Sequence, residues 1–157
     1  MSMKFDFKHS VEDVLNLLTD PDFLVDRNLA LGDLESDCEV EEDGDDIVVR
    51  MSRQTPVELN PFLAKFFGDV QTMSMVETWT PDGDDWTGEY EIHIDGQPVT
   101  IGATFSLSAH GKGCRYEITH SCKAKIPLVG GKIEKTVLSQ TEDGAREELE
   151  YAREQLG

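Results

Sequence analysis

The 157 residues carry 32 acidic against 14 basic side chains, a formal net charge of −18. So acidic a surface repels phosphate, which argues against nucleic acid and anionic membranes as standing partners. No apolar run approaches the ~18 residues of a membrane span, so no integral membrane protein is expected, and the length suits one domain over residues 1–157 with a real core. Met1-Ser2-Met3-Lys4-Phe5-Asp6 has no apolar run of the kind a secretory leader needs. Cys38, Cys114 and Cys122 form no CxxC pair and cannot all pair within the chain, so a reducing, cytoplasmic setting is expected.

Lys4 to Lys8 alternates, with Phe5 and Phe7 on one side, and reads as a strand. Ser10-Val11-Glu12-Asp13 has the form of a capping box and opens a helix with Val11, Val14, Leu15 and Leu18 on its apolar face. Asp20-Pro21 opens a second short helix, proline being suited to the first helical position. Phe23, Leu24, Leu29 and Leu31 are expected to carry its contacts, and Gly32 to end it.

Strands follow. Leu34 to Glu41 and Ile47 to Arg53 flank Asp43-Gly44, a hairpin signal. The stretch from Glu35 to Asp46 concentrates much of the negative charge and reads most simply as a solvated face. Val70 to Thr80, Trp86 to Ile94 and Val99 to Leu107 alternate in turn, separated by Pro81-Asp82-Gly83-Asp84 and Asp95-Gly96. His110-Gly111-Lys112-Gly113 is the last turn, and Gly113 to Lys125 the last strand. Before Val70 lies an insert, Pro56 to Gly68, too long for a hairpin. Its Leu59, Phe62, Leu63, Phe66 and Phe67 fit one face of a short helix, either a lid on a cavity or a plug for the core.

Pro127 stops the last strand, and Gly130-Gly131 free the chain to turn. Ile133, Val137, Thr141, Ala145, Leu149, Ala152 and Leu156 then recur at spacings of four and three, one stripe of a long helix. The predicted order is β-α-α-β-β-(insert)-β-β-β-β-α. Seven closely connected strands imply an antiparallel sheet, and the amphipathic helix must lay its stripe on the sheet's apolar face. The fold class is α+β, with a cavity expected where sheet and helix part.

Strand phase says which polar residues share the apolar side. Met73, Met75, Glu77 and Trp79 fall together. Tyr90 falls with Trp86 and Ile92, and His120 with Tyr116, Ile118 and Cys122. Glu77, Tyr90, His120 and also Arg53 are thus placed facing the interior, where an ionisable group must find partners or shift its pKa. Each is a candidate for ligand hydrogen bonding or acid–base chemistry, or is simply satisfied by its neighbours.

Other chemistry is sparse. His110, Cys114, His120 and Cys122 fit no standard zinc spacing, and no metal is expected. Asp43-Gly44-Asp45-Asp46 lacks the rest of a calcium loop. Gly130-Gly131-Lys132 lacks the spacing and the Ser/Thr of a phosphate loop, and no Gly-x-Ser-x-Gly elbow is present. No cofactor is expected.

Several segments resemble the bacterial family DUF2505: His9-Ser10-Val11-Glu12-Asp13-Val14, Leu18-Thr19-Asp20-Pro21-Asp22-Phe23, Pro61-Phe62-Leu63-Ala64-Lys65-Phe66-Phe67-Gly68, Glu77-Thr78-Trp79, and most specifically Lys125-Ile126-Pro127-Leu128-Val129-Gly130-Gly131-Lys132-Ile133-Glu134-Lys135. The order of elements is similar to the helix-grip fold of the START-like superfamily, also called Bet v 1-like or SRPBCC. The resemblance implies a seven-stranded curved sheet gripping the C-terminal helix around a cavity. The narrow family has no established reaction to carry over, and the superfamily spans lipid carriers, receptors, cyclases and co-chaperones.

The expected function is therefore binding of a hydrophobic small molecule or lipid between sheet and helix. Met73, Met75, Glu77, Trp79, Tyr90, Phe105 and His120 are the expected ligand contacts, together with Phe62 and Phe66 of the insert. A cyclase- or dehydratase-like enzyme would use Glu77 or His120 with Tyr90. An acidic interaction domain would instead present its charged surface, or Phe62, Phe66 and Phe67, to a protein partner.

Overall fold

The computed structural model describes residues 2–56, 65 and 68–157. β1 (Ser2–Phe7) is followed by α1 (Val11–Leu18) and α2 (Pro21–Ala30), then by β2 (Glu35–Asp43), β3 (Asp46–Pro56), β4 (Val70–Asp82), β5 (Asp85–Ile94), β6 (Val99–His110), β7 (Gly113–Ala124) and α3 (Gly130–Leu156). The strands form one antiparallel, curved sheet in the order β1-β7-β6-β5-β4-β3-β2. This is the expected helix-grip arrangement. The insert before β4 lies outside the described residues except for Pro56, Lys65 and Gly68, and with it Leu59, Phe62, Leu63, Phe66 and Phe67.

Local signals set the boundaries. The Ser10 side chain accepts a hydrogen bond from the Asp13 amide at the start of α1, and the Asp20 carboxylate accepts from Asp22 and Phe23 at the start of α2. The β2–β3 hairpin closes in two residues, with Gly44 at φ 64°, in the left-handed region. β2 lies at the sheet edge, and its acidic side chains are largely exposed. Charges along an unpaired edge discourage another strand from adding there, so the acidic run has a structural role.

One expectation on α2 is corrected. Leu29 and Leu31 are exposed, at 46% and 38%, while Arg27 and Asn28 are buried at 8% and 0%. Arg27 follows Leu24 by three residues and Phe23 by four, so the helical period puts it on the buried face.

The core falls into two clusters. One gathers Phe5, Phe7, Val14, Leu18, Trp79, Phe105, Leu107 and Tyr116 around the C-terminal half of α3, at Leu149 and Ala152. The other gathers Ile94, Val99, Ile101 and Cys122 around its N-terminal half, at Ile133 and Val137.

An aromatic stack closes the first cluster. Phe105 lies 4.7 Å from Trp79 and 5.6 Å from Tyr116 between ring centroids. Gly88 sits between Trp79 and Phe105 in the strand register, and a Cβ there would collide with the Phe105 ring and the Thr78 carbonyl. Gly88→Ala is expected to displace that ring and cost about 2 kcal/mol, the range of an overpacked core. A lowered urea midpoint at unchanged slope checks it.

Candidate functional site

Between the two clusters the helix stripe changes character. Thr141, Gly144, Ala145 and Glu148 replace the large apolar residues found on either side. Small side chains cannot span the distance to the sheet, and the space they leave is a cavity in two adjoining chambers. The inner chamber, about 100 Å³, is lined by Leu18, Leu24, Met51, Met75 and Ile118 together with Arg27, Glu77, Trp79, Tyr90 and Tyr116. The outer chamber, about 230 Å³, is lined by Met73, Ile92, Ile94, Ile101 and Val137, and by Pro56, the first residue of the insert, and Gln71, just beyond it. Arg53, Tyr90, Ile92, Ala145 and Glu148 are walls of both. A wider depression of about 690 Å³ lies on the outer face, over Gly102 and Ser121 and beside Val76, Thr78, Glu89 and Glu91. It is more open to solvent; Tyr90 and the buried Ala103 and His120 also border it, and the rest of its lining is exposed or half-buried sheet surface.

Strand register builds the inner wall. Val49, Glu77, Tyr90, Ala103 and His120 pair in succession across β3 to β7, all with side chains on one face. Adjacent rows add Met51, Met75 and Ile92 on one side, and Trp79, Gly88 and Phe105 on the other. Period-two alternation thus delivers Glu77 between two apolar rows.

A charged network crosses the cavity floor. Arg53 donates from Nε and Nη2 to both Asp33 oxygens, at 2.7 and 3.0 Å, and from Nη1 to Glu148 at 3.1 Å. Arg27 Nη2 lies 3.5 Å from the same Glu148 oxygen and also donates to Asn28 Oδ1. Asn28 in turn donates to Ser36 Oγ at 3.0 Å. Two guanidinium charges are therefore matched by two carboxylates. Burial pushes the Glu148 carboxyl up, but Arg27 and Arg53 outweigh it and hold it below the usual range. For Arg53, burial works against the charge, and Glu148 and Asp33 more than restore it.

Glu77 stands apart from this balance. Among the described residues it accepts one hydrogen bond, from the Trp79 indole N–H at 3.0 Å. It is enclosed by protein yet touches the cavity, and burial pushes its carboxyl up to about 7. The Trp79 bond and Arg27 pull the other way, while Glu148 adds to the rise. Burial likewise raises the Tyr90 and Tyr116 phenols, with Glu77 and Glu148 adding to it, so both stay protonated. Among the described residues neither phenol hydroxyl is hydrogen-bonded by a side chain or the backbone.

The expected residues divide. Met73, Met75, Glu77, Trp79 and Tyr90 line the cavity. Phe105 is taken up by the aromatic stack, one layer away. His120 is buried beside Tyr90, 6.0 Å between ring centroids, and burial lowers its pKa, against the pull of Glu142 and Glu148. Phe62 and Phe66 lie outside the described residues. The polar set that sequence reasoning missed is Arg27, Asn28, Asp33 and Glu148. Helical spacing held the signal for two of them: Arg27 as above, and Glu148 three residues past Ala145 and seven past Thr141.

Solved structures share this architecture. A protein of Thermus thermophilus, TTHA0849, superposes with a TM-score of 0.67 at 15% identity, covering 98% of this chain and 94% of its own. A START superfamily protein from Mycobacterium smegmatis gives 0.63 at 12% identity, covering 100% and 98%. Ara h 8.0201 gives 0.53 at 12%, covering 97% and 95%. At these identities the likeness establishes the fold. No curated protein sequence matches the chain. The DUF2505 family, described as a protein of unknown function, matches residues 2–156, and the chain therefore belongs to it.

Proposed function

We propose that this protein binds a compact, largely apolar molecule in the cavity between sheet and α3. The observation that carries the reading is the gap itself: two well-packed clusters flank a stretch of α3 whose small residues leave the sheet uncovered. The chambers lie below or near the lower end of the volumes usual for small-molecule sites, which favours a compact ligand over a long acyl chain. A cytoplasmic setting fits the three unpaired thiols, and no described helix is long and apolar enough to cross a membrane.

Gly144 supplies the test. It lines the outer chamber, and a Cβ there would meet nothing within 4 Å. Gly144→Leu is expected to fill the chamber without strain and, by removing a helical glycine, to raise stability by about 1 kcal/mol. Native mass spectrometry with solvent extraction should then find a molecule on the wild type and none on G144L, and a neutral apolar dye should lose at least tenfold in affinity. Undiminished binding by a stably folded G144L would place the ligand elsewhere.

A second reading has its own observation. A carboxyl near neutrality beside two protonated phenols is equipped to move a proton on a bound molecule. Incubating the extracted molecule with wild type and with Glu77→Gln distinguishes carrier from enzyme. A mass or isomer change made by the wild type alone marks turnover.

A further inference from the structure

The cavity is not electrostatically neutral, and its imbalance names a ligand chemistry. Arg53 is engaged by Asp33 and Glu148, and Arg27 by Asn28 and Glu148. A ligand anion would find both cations already matched and would face Glu77 as well. Glu77 is the one carboxyl among the described walls of the inner chamber that no arginine pairs with directly. It shares that chamber with Tyr90 and Tyr116, whose phenol oxygens accept hydrogen bonds, and with Trp79, whose indole N–H it already accepts. The adjoining chamber is walled by Met73, Ile92, Ile94, Ile101 and Val137 and takes an apolar body.

We infer that the bound molecule is a small organic amine, its ammonium held in the inner chamber by Glu77 and the phenol oxygens, its apolar body in the outer one. This rests on the cavity reading above and gives it a substrate class. Binding is then linked to a proton: in the empty cavity Glu77 is close to half protonated at neutral pH, and any proton it holds goes to solvent as the ammonium arrives. The charged and titratable groups around Glu77 are Arg27 from α2, Cys38 from β2, Arg53 from β3, Tyr90 from β5, Tyr116 from β7 and Glu148 from α3, with His120 of β7 farther along the same wall beside Tyr90, its pKa lowered by burial toward the neutral ring. The Cys38 thiol is pushed up to about 11 and the phenols are raised, chiefly by burial, while Glu148 is held down. Between pH 6 and pH 8 Glu77 is therefore the group in contact with the inner chamber that changes charge.

Three probes with one body test this: 2-phenylethylamine, 2-phenylethanol and phenylacetate, titrated into the full chain by calorimetry at pH 6 and pH 8. The amine stays protonated throughout. At pH 8 it should bind at least tenfold more tightly than the alcohol, with phenylacetate weakest. Its affinity should fall about tenfold at pH 6, where Glu77 is protonated, as one titrating site near 7 requires. In Glu77→Gln the amine and the alcohol should bind alike at both pH values. An amine no tighter than the alcohol in the wild type overturns the inference while leaving the cavity reading in place, and so does a pH dependence that survives in E77Q. Failure of all three probes overturns both.

Discussion

Arg53→Met is expected to be the most damaging single change in the interior, costing on the order of 3 kcal/mol or more. Arg53 donates to both Asp33 oxygens and to Glu148, and all three side chains are largely sheltered from water, at 21%, 4% and 22% exposure. The pair taken whole contributes little, since desolvation offsets attraction. Removing one member is different, because it leaves two carboxylates buried against one remaining arginine, Arg27. Direction with pH tests the cause. Glu148 is held down in the wild type by Arg27 and Arg53 against burial, so losing Arg53 moves its carboxyl up. Protonation relieves the stranded charge, and the deficit of R53M should therefore be largest above neutrality and shrink toward pH 5. Arg53→Lys should recover only part, since an ammonium cannot reproduce the bidentate fork. Urea midpoints of the three proteins across this range check it, and a deficit independent of pH would mean lost packing rather than stranded charge.

That network also marks where reading the sequence ran out. Local grammar was legible. Ser10 and Asp20 cap the helices they precede, Gly44 turns the hairpin, and the helix stripe from Ile133 to Leu156 lies on the sheet. Strand phase was also reliable for Met73, Met75, Glu77, Trp79 and Tyr90, because register carries a period of two across a sheet without bulges at these positions. The failures share one cause. In Arg27-Asn28-Leu29 hydropathy pointed outward with the polar pair and inward with the leucine, while the helical period did the opposite. In Glu147-Glu148-Leu149-Glu150 the one inward acid was hidden among solvated ones. Buried ion pairs depend on partners far along the chain, here Arg53 and Glu148, and no local pattern announces them. The cavity was legible only as a fold-level expectation. Its place follows from Thr141, Gly144 and Ala145, whose small size mattered more than their position on the stripe.

Glu77→Gln is expected to stabilise the protein at pH 8, by on the order of 2–3 kcal/mol more than at pH 5. Burial raises this carboxyl from 4.5 to about 7. A carboxyl whose folded pKa lies above its unfolded value favours the folded state fully below the unfolded value, and that contribution is lost as pH rises through the folded one. Between pH 5 and pH 8 the wild type therefore gives up stability at a rate of one proton. The ceiling set by the shift is about 3 kcal/mol at ~1.36 kcal/mol per pKa unit, reduced because the cavity admits solvent to Glu77. Glutamine has no proton to lose and nearly the same shape, and its Oε1 can still accept from the Trp79 indole. It removes the penalty without opening a void. Thermal and urea denaturation of both proteins at the two pH values read the difference, and comparing the pair cancels the repulsion of the −18 surface. Parallel pH–stability curves would show that Glu77 ionises in the folded protein as it does in the unfolded chain. That result would remove the electrostatic basis for a carboxyl held in reserve for a ligand. The cost seen at high pH is what an ammonium in the inner chamber would offset, so an amine probe should narrow the gap between the two proteins at pH 8 and leave it unchanged at pH 5.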